Sequence, residues 1–390
     1  MNIGPWESIS GQYRLLPGQL PSIVGQRPIL DSGRLGRLLR GQGLEQLGRT
    51  LASVFTLCAH AHCSAAEWAV ACARTGQSQQ PSPEAQVQLW LETARDHLRS
   101  IALDWPQRLA QPIPPAQALG WLRGCPLPLV APRARSDAAA AQAMLRDLRL
   151  WLEREVLGQA VSTWLVAHRE PETLARWCDA RAPRLLPARC LADGFAMAQG
   201  LTPPQRGLNA LDPDPAIQTR QLLDLARGLG NEGEFAQRPT WLGECAETGP
   251  WTRLRDRARP VPHSAWTRLS ARWMELMEIA AAEPGAADQQ RAPLLSCGAL
   301  PLAQGQALAW CEMARGLLLH WVQIDPQGAV LDYRVLAPTE WNFHPEGALA
   351  RAVSALPLGA TAAAQTLAAA FDPCVACTVQ PVATGAVDGA

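Results

Sequence analysis

The chain of 390 residues is long enough to bury a large hydrophobic core, and its hydrophobic content of 48% is that of a globular protein. Its 35 basic residues are all arginine, balance 35 acidic residues and are scattered along the chain, which excludes the basic patch of a nucleic-acid-binding protein. No uninterrupted apolar run approaches the roughly 20 residues of a membrane-spanning helix, so we expect no nucleic-acid partner and no membrane insertion.

The N-terminus and the cysteine content together predict a cytoplasmic location. The first residues contain no basic segment, no apolar run of a signal peptide and no twin arginine. The eleven cysteines are an odd number at irregular spacings, which suits reduced thiols better than a secreted disulfide framework. Most of them are expected to be small buried hydrophobic residues.

In the N-terminal quarter, the pattern changes from irregular to helical. Glycine and proline are frequent in residues 11–34, which predicts irregular structure or short edge strands. Apolar residues at helical spacing then predict a helix over residues 44–57 and another over about 64–73, with a cluster of cysteine and histidine at their junction. A third amphipathic helix is predicted over residues 86–103.

The middle of the chain is also predicted to be helical. The longest prediction runs from residue 138 to about 168, contains no proline, and follows a plausible helix cap at Ser136-Asp137. Shorter helices are predicted over residues 217–229 and 264–282, separated by connections rich in proline and glycine.

Near the C-terminus the spacing of apolar residues changes from that of a helix to that of a strand. Residues 317–324 and 329–336 flank the turn Asp325-Pro326-Gln327-Gly328, which predicts a β-hairpin. Two helices follow, over residues 347–355 and 361–371. The prediction is therefore a mainly α fold, a helical bundle with a small β-hairpin or sheet near its C-terminal end.

Two cysteine clusters carry the candidate chemistry. Cys374-Val375-Ala376-Cys377 is the only C-x-x-C in the chain, and two thiolates at this spacing can share a metal ion or form a reducible disulfide. More than three hundred residues earlier, Cys58-Ala59-His60-Ala61-His62-Cys63 offers sulfur and imidazole donors. Cys58, with His62 or Cys63, could also combine with the C-terminal pair into a tetrahedral zinc site.

The order of motifs in the C-terminal third resembles that of [NiFe]-hydrogenase large subunits. The motifs are Glu312-Met313-Ala314-Arg315-Gly316, then His320-Trp321, the hairpin, Tyr333, Pro338-Thr339-Glu340-Trp341-Asn342, and Asp372-Pro373-Cys374 with Cys377. The similarity is clear from about residue 310 to 377 and weaker around 38–68. It implies one large-subunit-like domain over residues 1–390, whose parts 1–75 and 300–380 converge on a metal site.

In that family two C-x-x-C motifs hold nickel and iron, and the iron carries carbon monoxide and two cyanides. The resemblance places Cys58 and Cys377 on the two cysteines that bridge the metals, and Cys374 on a cysteine that binds nickel alone. Phe55 falls where the other nickel-only cysteine belongs, and His62 falls on the motif histidine. The resemblance therefore implies an iron site without a complete nickel site, and no hydrogen turnover.

Two further positions depart from the large-subunit pattern. Gly36 aligns with the glutamate that relays protons in the family, so a proton path is not expected. Gln380 stands where the family has a histidine that marks the cleavage of a C-terminal extension, so we expect no such processing.

The positions that surround the cyanides are retained. Arg315 matches the arginine that donates to one cyanide nitrogen, and Pro338-Thr339 matches the turn whose backbone N–H and hydroxyl serve the other. His62 is expected to orient a sulfur instead of binding metal, and His60 to be structural or exposed. The structural alternative for Arg315 is a buried ion pair with Glu312 or Glu340.

This combination of departures and retained positions resembles the hydrogenase accessory proteins of the HoxV/HupK family. It implies a maturation factor, not an enzyme, that acts as a transient scaffold or carrier for an Fe(CN)2(CO) fragment. Cys58 and Cys377 would hold the iron and Cys374 would assist its capture. The implied partners are upstream Hyp-type maturation proteins and the apo large subunit. The alternative is a structural adaptor or chaperone of the large subunit, with or without a structural zinc ion.

Overall fold

Helices form most of the secondary structure, and two small sheets complete it. The computed structural model describes residues 11–30, 33–109, 113–130, 137–203, 214–231, 234–253, 264–283 and 294–380. The strands are β1 (Gln12–Leu15), β2 (Ile23–Gln26), β3 (Cys297–Pro301), β4 (Gln306–Met313), β5 (Gly316–Ile324), β6 (Val330–Leu336) and β7 (Ala376–Val379).

The α-helices vary from single turns to segments of 17 residues. In chain order they are α1 (Arg34–Leu39), α2 (Leu44–Val54), α3 (Ala59–Thr75), α4 (Pro83–Arg99), α5 (Trp105–Arg108), α6 (Pro115–Ala118), α7 (Ala138–Trp151), α8 (Val161–Ala167), α9 (Pro171–Arg181), α10 (Leu186–Asp193), α11 (Phe195–Gly200), α12 (Pro215–Asn231), α13 (Ala265–Ala281), α14 (Pro338–Asn342), α15 (Ala348–Ser354) and α16 (Thr361–Phe371). Within these described ranges, no helix is both long and apolar enough to cross a membrane.

The first sheet joins the two ends of the chain. Its strand order is β2-β1-β7, in which β1 pairs antiparallel with β2 and parallel with β7. The register places Tyr13 opposite Cys377. The C-terminal C-x-x-C is therefore held against a strand that lies near the N-terminal end of the described chain.

The second sheet contains the predicted hairpin and two strands that the sequence patterns did not indicate. Its order is β3-β4-β5-β6, and all of its neighbours are antiparallel. Strands β4 and β5 are joined by Ala314 and Arg315 alone, because Met313 already pairs with Gly316. Gly316 has φ 128°, and a Cβ atom there would lie 2.4 Å from Thr248 Cγ2, so the turn requires glycine. This tight turn places Arg315 at the tip of a hairpin.

Helix α13 lies at the centre of the bundle, because nearly every one of its side chains is buried. It begins as predicted at Ser264, whose hydroxyl accepts a hydrogen bond from the Thr267 N–H. Its apolar stripe packs with α4, α7, α8 and α16. The same helix also buries charged side chains, and among these Arg272 reaches toward the C-terminal cysteines.

The two helices around the N-terminal cysteine cluster are confirmed, with one shifted boundary. Helix α2 ends at Val54, a short 3-10 turn spans Thr56–Cys58, and α3 then begins at Ala59, about five residues earlier than predicted. Cys58 thus occupies the junction between two helices, as the sequence indicated. The helix predicted over residues 86–103 corresponds to α4, which continues into a π-helical turn, Ser100–Asp104.

The prediction of one long helix from residue 138 to 168 is wrong. Asp137 does cap the start, since its carboxylate accepts from the Ala140 N–H at 2.7 Å, whereas Ser136 lies outside the described residues. Helix α7 ends at Trp151, a π-helical turn follows, and Gly158 then adopts φ 71°. A left-handed residue stops helical hydrogen bonding, so α8 starts as a separate helix.

Candidate functional site

The C-terminal cysteine motif lies against the turn that begins α14. Pro338 is the first residue of this short helix, where its missing N–H costs nothing. The hydroxyl of Thr339 lies 3.1 Å from Cys374 Sγ and 3.4 Å from the Cys374 backbone N–H. The structure therefore brings together Pro338, Thr339 and Cys374, three of the residues singled out from the sequence.

Asp372 fixes the direction in which the chain enters this motif. It ends α16 in the left-handed conformation, with φ 45°, directly before Pro373. Its carboxylate accepts from the Ser100 hydroxyl at 2.9 Å and lies 3.4 Å from Arg272 Nη2 and 3.3 Å from Arg315 Nε. Burial raises its pKa, but the two guanidinium groups and Ser100 outweigh burial and hold the pKa below its usual range.

Arg315 is buried between two aspartates. From the tip of the β4–β5 hairpin, its Nη1 donates to Asp96 Oδ2 at 2.9 Å, and its Nε lies 3.3 Å from Asp372. The alternative of a buried ion pair for Arg315 is therefore confirmed in kind, but its partners are Asp96 and Asp372 and not the expected Glu312 or Glu340. Glu312 lies before the hairpin turn and accepts from the Ser296 N–H at 2.7 Å, while Glu340 is paired with another arginine.

Cys58 is held in place by Glu92 of α4. The two carboxylate oxygens accept the backbone N–H groups of His60 and Ala61, at 2.7 and 2.8 Å, and so cap the first turn of α3. Burial, followed by the charge of Asp96, raises the pKa of Glu92 to about 8. The segment that carries Cys58 is thus anchored by a residue more than thirty positions away.

The electrostatic surroundings of Cys58 connect it to the other end of the chain. The thiol is buried, which raises its pKa well above the ordinary value, and the neighbouring Cys374 thiol raises it further. The Arg315 guanidinium lowers it. Cys374 and Arg315 therefore both lie close enough to Cys58 to affect the charge of its thiol.

Cys377 occupies a different place in the motif. It is buried on strand β7, and its backbone carbonyl accepts from Arg108 Nη2 at 3.0 Å. Burial raises the pKa of its thiol to about 11.

Throughout the described part of the chain, no three or more Cys, His, Asp or Glu side chains converge as ligands of one metal ion. Cys58 is thus influenced by Cys374, whereas the charged neighbour of Cys377 is Arg108, and the described residues form no four-donor zinc site.

His62 packs against Phe55, the residue that the resemblance places at the first nickel cysteine. Its ring stacks on Phe55 with the centroids 3.8 Å apart and the planes within 1°. Its Nδ1 lies 3.0 Å from His320 Nε2, and the other side of that imidazole meets the Tyr333 hydroxyl. Burial, followed by His320 and Arg27, lowers the pKa of His62, so its imidazole is neutral.

His60 and Cys63, the other residues of the N-terminal cluster, make contacts of their own. His60 is half-buried and contributes its backbone N–H to Glu92, and the Cys63 thiol donates to the Gly48 carbonyl at 3.3 Å. The donors that a zinc ion would recruit from this segment, His62 and Cys63, therefore face His320 and Gly48.

Arg27 is a site residue that the sequence did not indicate. Its side chain is buried, and Nη1 lies 3.2 and 3.3 Å from the two oxygens of Glu340, the residue that follows Thr339. Its guanidinium carbon lies 5.8 Å from the centroid of the Phe55 ring. Arg27 thus bridges the C-terminal turn and the Phe55 side of the site.

A cleft of about 550 Å³ lies elsewhere, between α1 and β6. Gly36 lines it, together with Asp332 and Tyr333. A Cβ atom at Gly36 would lie 2.7 Å from the Asp332 carboxylate and 3.1 Å from the Tyr333 carbonyl. A side chain at this position would therefore have to displace the Asp332 carboxylate and would pack tightly against the Tyr333 carbonyl.

Comparisons with known proteins agree with this fold. Residues 252–380 match the model of the family described as nickel-dependent hydrogenase. The chain is 38% identical to a hydrogenase expression/formation protein HoxV from Cupriavidus necator, with 96% of both chains covered. It is 32% identical to a HupK protein of the same description from Rhizobium leguminosarum bv. viciae, with 88% of both covered.

Solved structures show the same fold. A [NiFeSe] hydrogenase variant from Desulfovibrio vulgaris Hildenborough superimposes with a TM-score of 0.56 over 93% of both chains, at 13% identity. The reduced [NiFeSe] enzyme from the same organism gives a TM-score of 0.54 over 87% of this chain and 90% of that chain, at 15% identity. The expectation of a large-subunit-like, mainly helical fold is confirmed.

Proposed function

The chain belongs to the family of the hydrogenase expression/formation proteins HoxV and HupK, and on this premise we propose that it is a scaffold or carrier for an Fe(CN)2(CO) fragment. Upstream Hyp-type maturation proteins would supply the fragment, and the apo large subunit of a hydrogenase would receive it. The protein would carry part of an active site for another protein and would not itself turn over hydrogen.

The observation that supports this proposal best is the pair of hydrogen-bond donors near the Cys374 and Cys58 thiols. Thr339 contacts the sulfur of Cys374, and the buried guanidinium of Arg315 lies close enough to influence the Cys58 thiol. Iron-bound cyanide carries negative charge on nitrogen and binds best to fixed hydrogen-bond donors in a pocket that excludes water. Arg315 would serve one cyanide, and the Pro338-Thr339 turn would serve the other.

Thiolates suit the iron of such a fragment, because soft sulfur ligands and strong-field diatomic ligands favour the same low-spin ion. Cys58 and Cys377 would hold the iron, and Cys374 would assist capture or release. The thiols of Cys58 and Cys377 both have raised pKa values, so binding of iron must displace their protons. Loading would therefore release protons to the surroundings.

The residues beside Cys58, namely Phe55 and His62, also support an accessory role. The ring of Phe55 stands where an aligned nickel cysteine would be, and its stacking on His62 fills that side with carbon and a neutral imidazole. Neither group replaces a thiolate as a nickel ligand. We propose that His62 holds the Phe55 wall of the site in place.

Infrared spectroscopy tests the proposal. Protein purified without oxygen from cells with the complete maturation pathway should show cyanide and carbonyl stretching bands. Cys58→Ala and Cys377→Ala should lose these bands. Cys178→Ala, which removes a buried thiol from α9, is the matched control and should keep them.

The opposite results would identify an adaptor. A wild-type spectrum without cyanide or carbonyl bands would contradict the proposal, as would bands that persist in both variants. Zinc found without iron in the same preparations would instead favour a structural role.

A further inference from the structure

Arg27 stands between the two cysteine-bearing segments. On one side its Nη1 pairs with Glu340, which follows the Thr339 that contacts the Cys374 sulfur. On the other side its guanidinium lies over the ring of Phe55, three residues before Cys58. No other arginine in the described residues makes both of these contacts. Arg27 therefore lies beside Phe55, the residue that the resemblance places at a nickel-only cysteine.

The ion pair with Glu340 involves only one nitrogen of the Arg27 guanidinium. Nη1 alone contacts Glu340, and Nε is buried without a hydrogen-bond partner in the described part of the chain. Arg315 also has a buried Nε without a hydrogen bond, but its guanidinium is ion-paired with two aspartates, whereas that of Arg27 is paired with one glutamate. A buried N–H without a partner is costly, and a ligand atom with negative charge would relieve that cost.

The two metal species that could reach these thiols differ in charge. A bare Ni²⁺ ion brings two positive charges next to the guanidinium. In the Fe(CN)2(CO) fragment, two cyanides cancel the charge of a ferrous ion, and their nitrogen atoms are hydrogen-bond acceptors. A buried guanidinium repels the first species and can donate to the second, and in a site from which water is excluded the difference is large.

We propose that Arg27 is a specificity-determining residue, which excludes bare divalent cations such as Ni²⁺ from the thiols and favours a metal fragment whose cyanides cancel the charge of the metal. This inference rests on the proposed function, because it names what the same site accepts and rejects. The low pKa of His62, to which Arg27 contributes, agrees with positive potential on the Phe55 side. Nickel would thus meet two obstacles: Phe55 offers no ligand atom, and the positive charge of Arg27 repels the metal ion.

Nickel binding by chain purified from cells without maturation genes tests the inference. Ni²⁺ alone is the probe, titrated without oxygen and with a reductant, and bound nickel is measured by equilibrium dialysis. Each protein is compared with its Cys374→Ser form, so that only nickel bound at the site is counted. Arg27→Met should gain Cys374-dependent binding at least about tenfold tighter than wild type. Arg27→Lys, which keeps the charge, should behave like wild type.

A second variant distinguishes the loss of the Arg27 charge from misfolding caused by an unpaired Glu340. Arg27→Met leaves Glu340 buried without its partner, and the double variant Arg27→Met/Glu340→Gln removes both charges. Equal Cys374-dependent nickel binding by wild type, Arg27→Met and the double variant would overturn the inference. That result would leave the proposed function intact if the infrared bands of wild type are present, so the two failures are distinguishable.

Discussion

The two segments that carry the cysteines are held in different ways. Around Cys374, the chain is fixed by charge: the carboxylate of Asp372 lies between Arg272 and Arg315. Around Cys58, it is fixed by backbone hydrogen bonds to Glu92 and by the stacking of Phe55 on His62. The first segment thus has polar surroundings that would suit a cyanide-bearing iron, and the second presents an aromatic ring at the position that the resemblance assigns to a metal ligand.

On the proposed function, this difference would let the site hold an iron fragment and reject nickel. Buried ion pairs orient hydrogen-bond donors rigidly, which suits recognition of a bound anion. An aromatic ring in a ligand position supplies packing but no lone pair for a metal. The following predictions test the two kinds of anchoring separately, beginning with the segment that depends on charge.

The largest loss of stability is expected from Asp372→Ala. The substitution leaves Arg272 and Arg315 buried beside each other without their shared carboxylate, which should lower the free energy of unfolding by about 3 to 5 kcal/mol. Urea unfolding measures the change. Asp332→Ala, which breaks a half-exposed pair with Arg334, is the control and should cost less than about 1 kcal/mol. Similar losses in the two variants would contradict the charge-based anchoring.

A smaller loss is expected from Glu92→Ala at the N-terminal segment. The variant removes the acceptors for the His60 and Ala61 N–H groups at the buried start of α3, at a cost of about 2 kcal/mol. Because the first turn of α3 is released, hydrogen exchange of these two amides should accelerate more than exchange at the end of the helix near Thr75. Uniform acceleration along α3 would mean that Glu92 has no local capping role.

The smallest effect is a pH dependence from the imidazole pair. Burial lowers the pKa of His320 to about 3, while the unfolded chain takes up the proton near its ordinary value of about 6.5. The unfolded state therefore binds more protons, and stability falls as pH drops. His320 alone should contribute a loss of about 1 kcal/mol between about pH 7 and about pH 5.5. Unfolding curves of wild type and His320→Gln should differ by this amount in their pH dependence, and parallel curves would refute the assignment.

Local patterns in the sequence were enough to predict most of the helices and one hairpin. The stripe of α13 and the turn at Asp325-Pro326-Gln327-Gly328 depend on neighbouring residues, so periodicity and turn chemistry indicate them directly. The long helix failed because Gly158 adopts a left-handed conformation, which composition alone does not reveal. Strand β7 was missed because its partner, β1, lies at the other end of the chain.

In the site, too, features that depend on local sequence were predicted, and features that depend on distant residues were missed. Motif order singled out Arg315, Thr339 and Cys374, and the structure brings them together. Arg27 was missed because its ion pair with Glu340 spans 313 residues and leaves no local signal. Asp96 was missed for the same reason, since its partner Arg315 is 219 residues away. The roles of Cys58 and Cys377 as iron ligands, and of His62 beside them, stay predictions.

The metal content of one preparation tests the central claim most directly. The protein would be isolated without oxygen from cells that supply nickel and express the complete maturation pathway, and iron and nickel would be quantified by mass spectrometry on the same sample. We predict iron in nearly stoichiometric amounts and no nickel above the level of the Cys58→Ala control. Stoichiometric nickel, with or without iron, would contradict the claim that this chain has kept the iron half of the site and lost the nickel half.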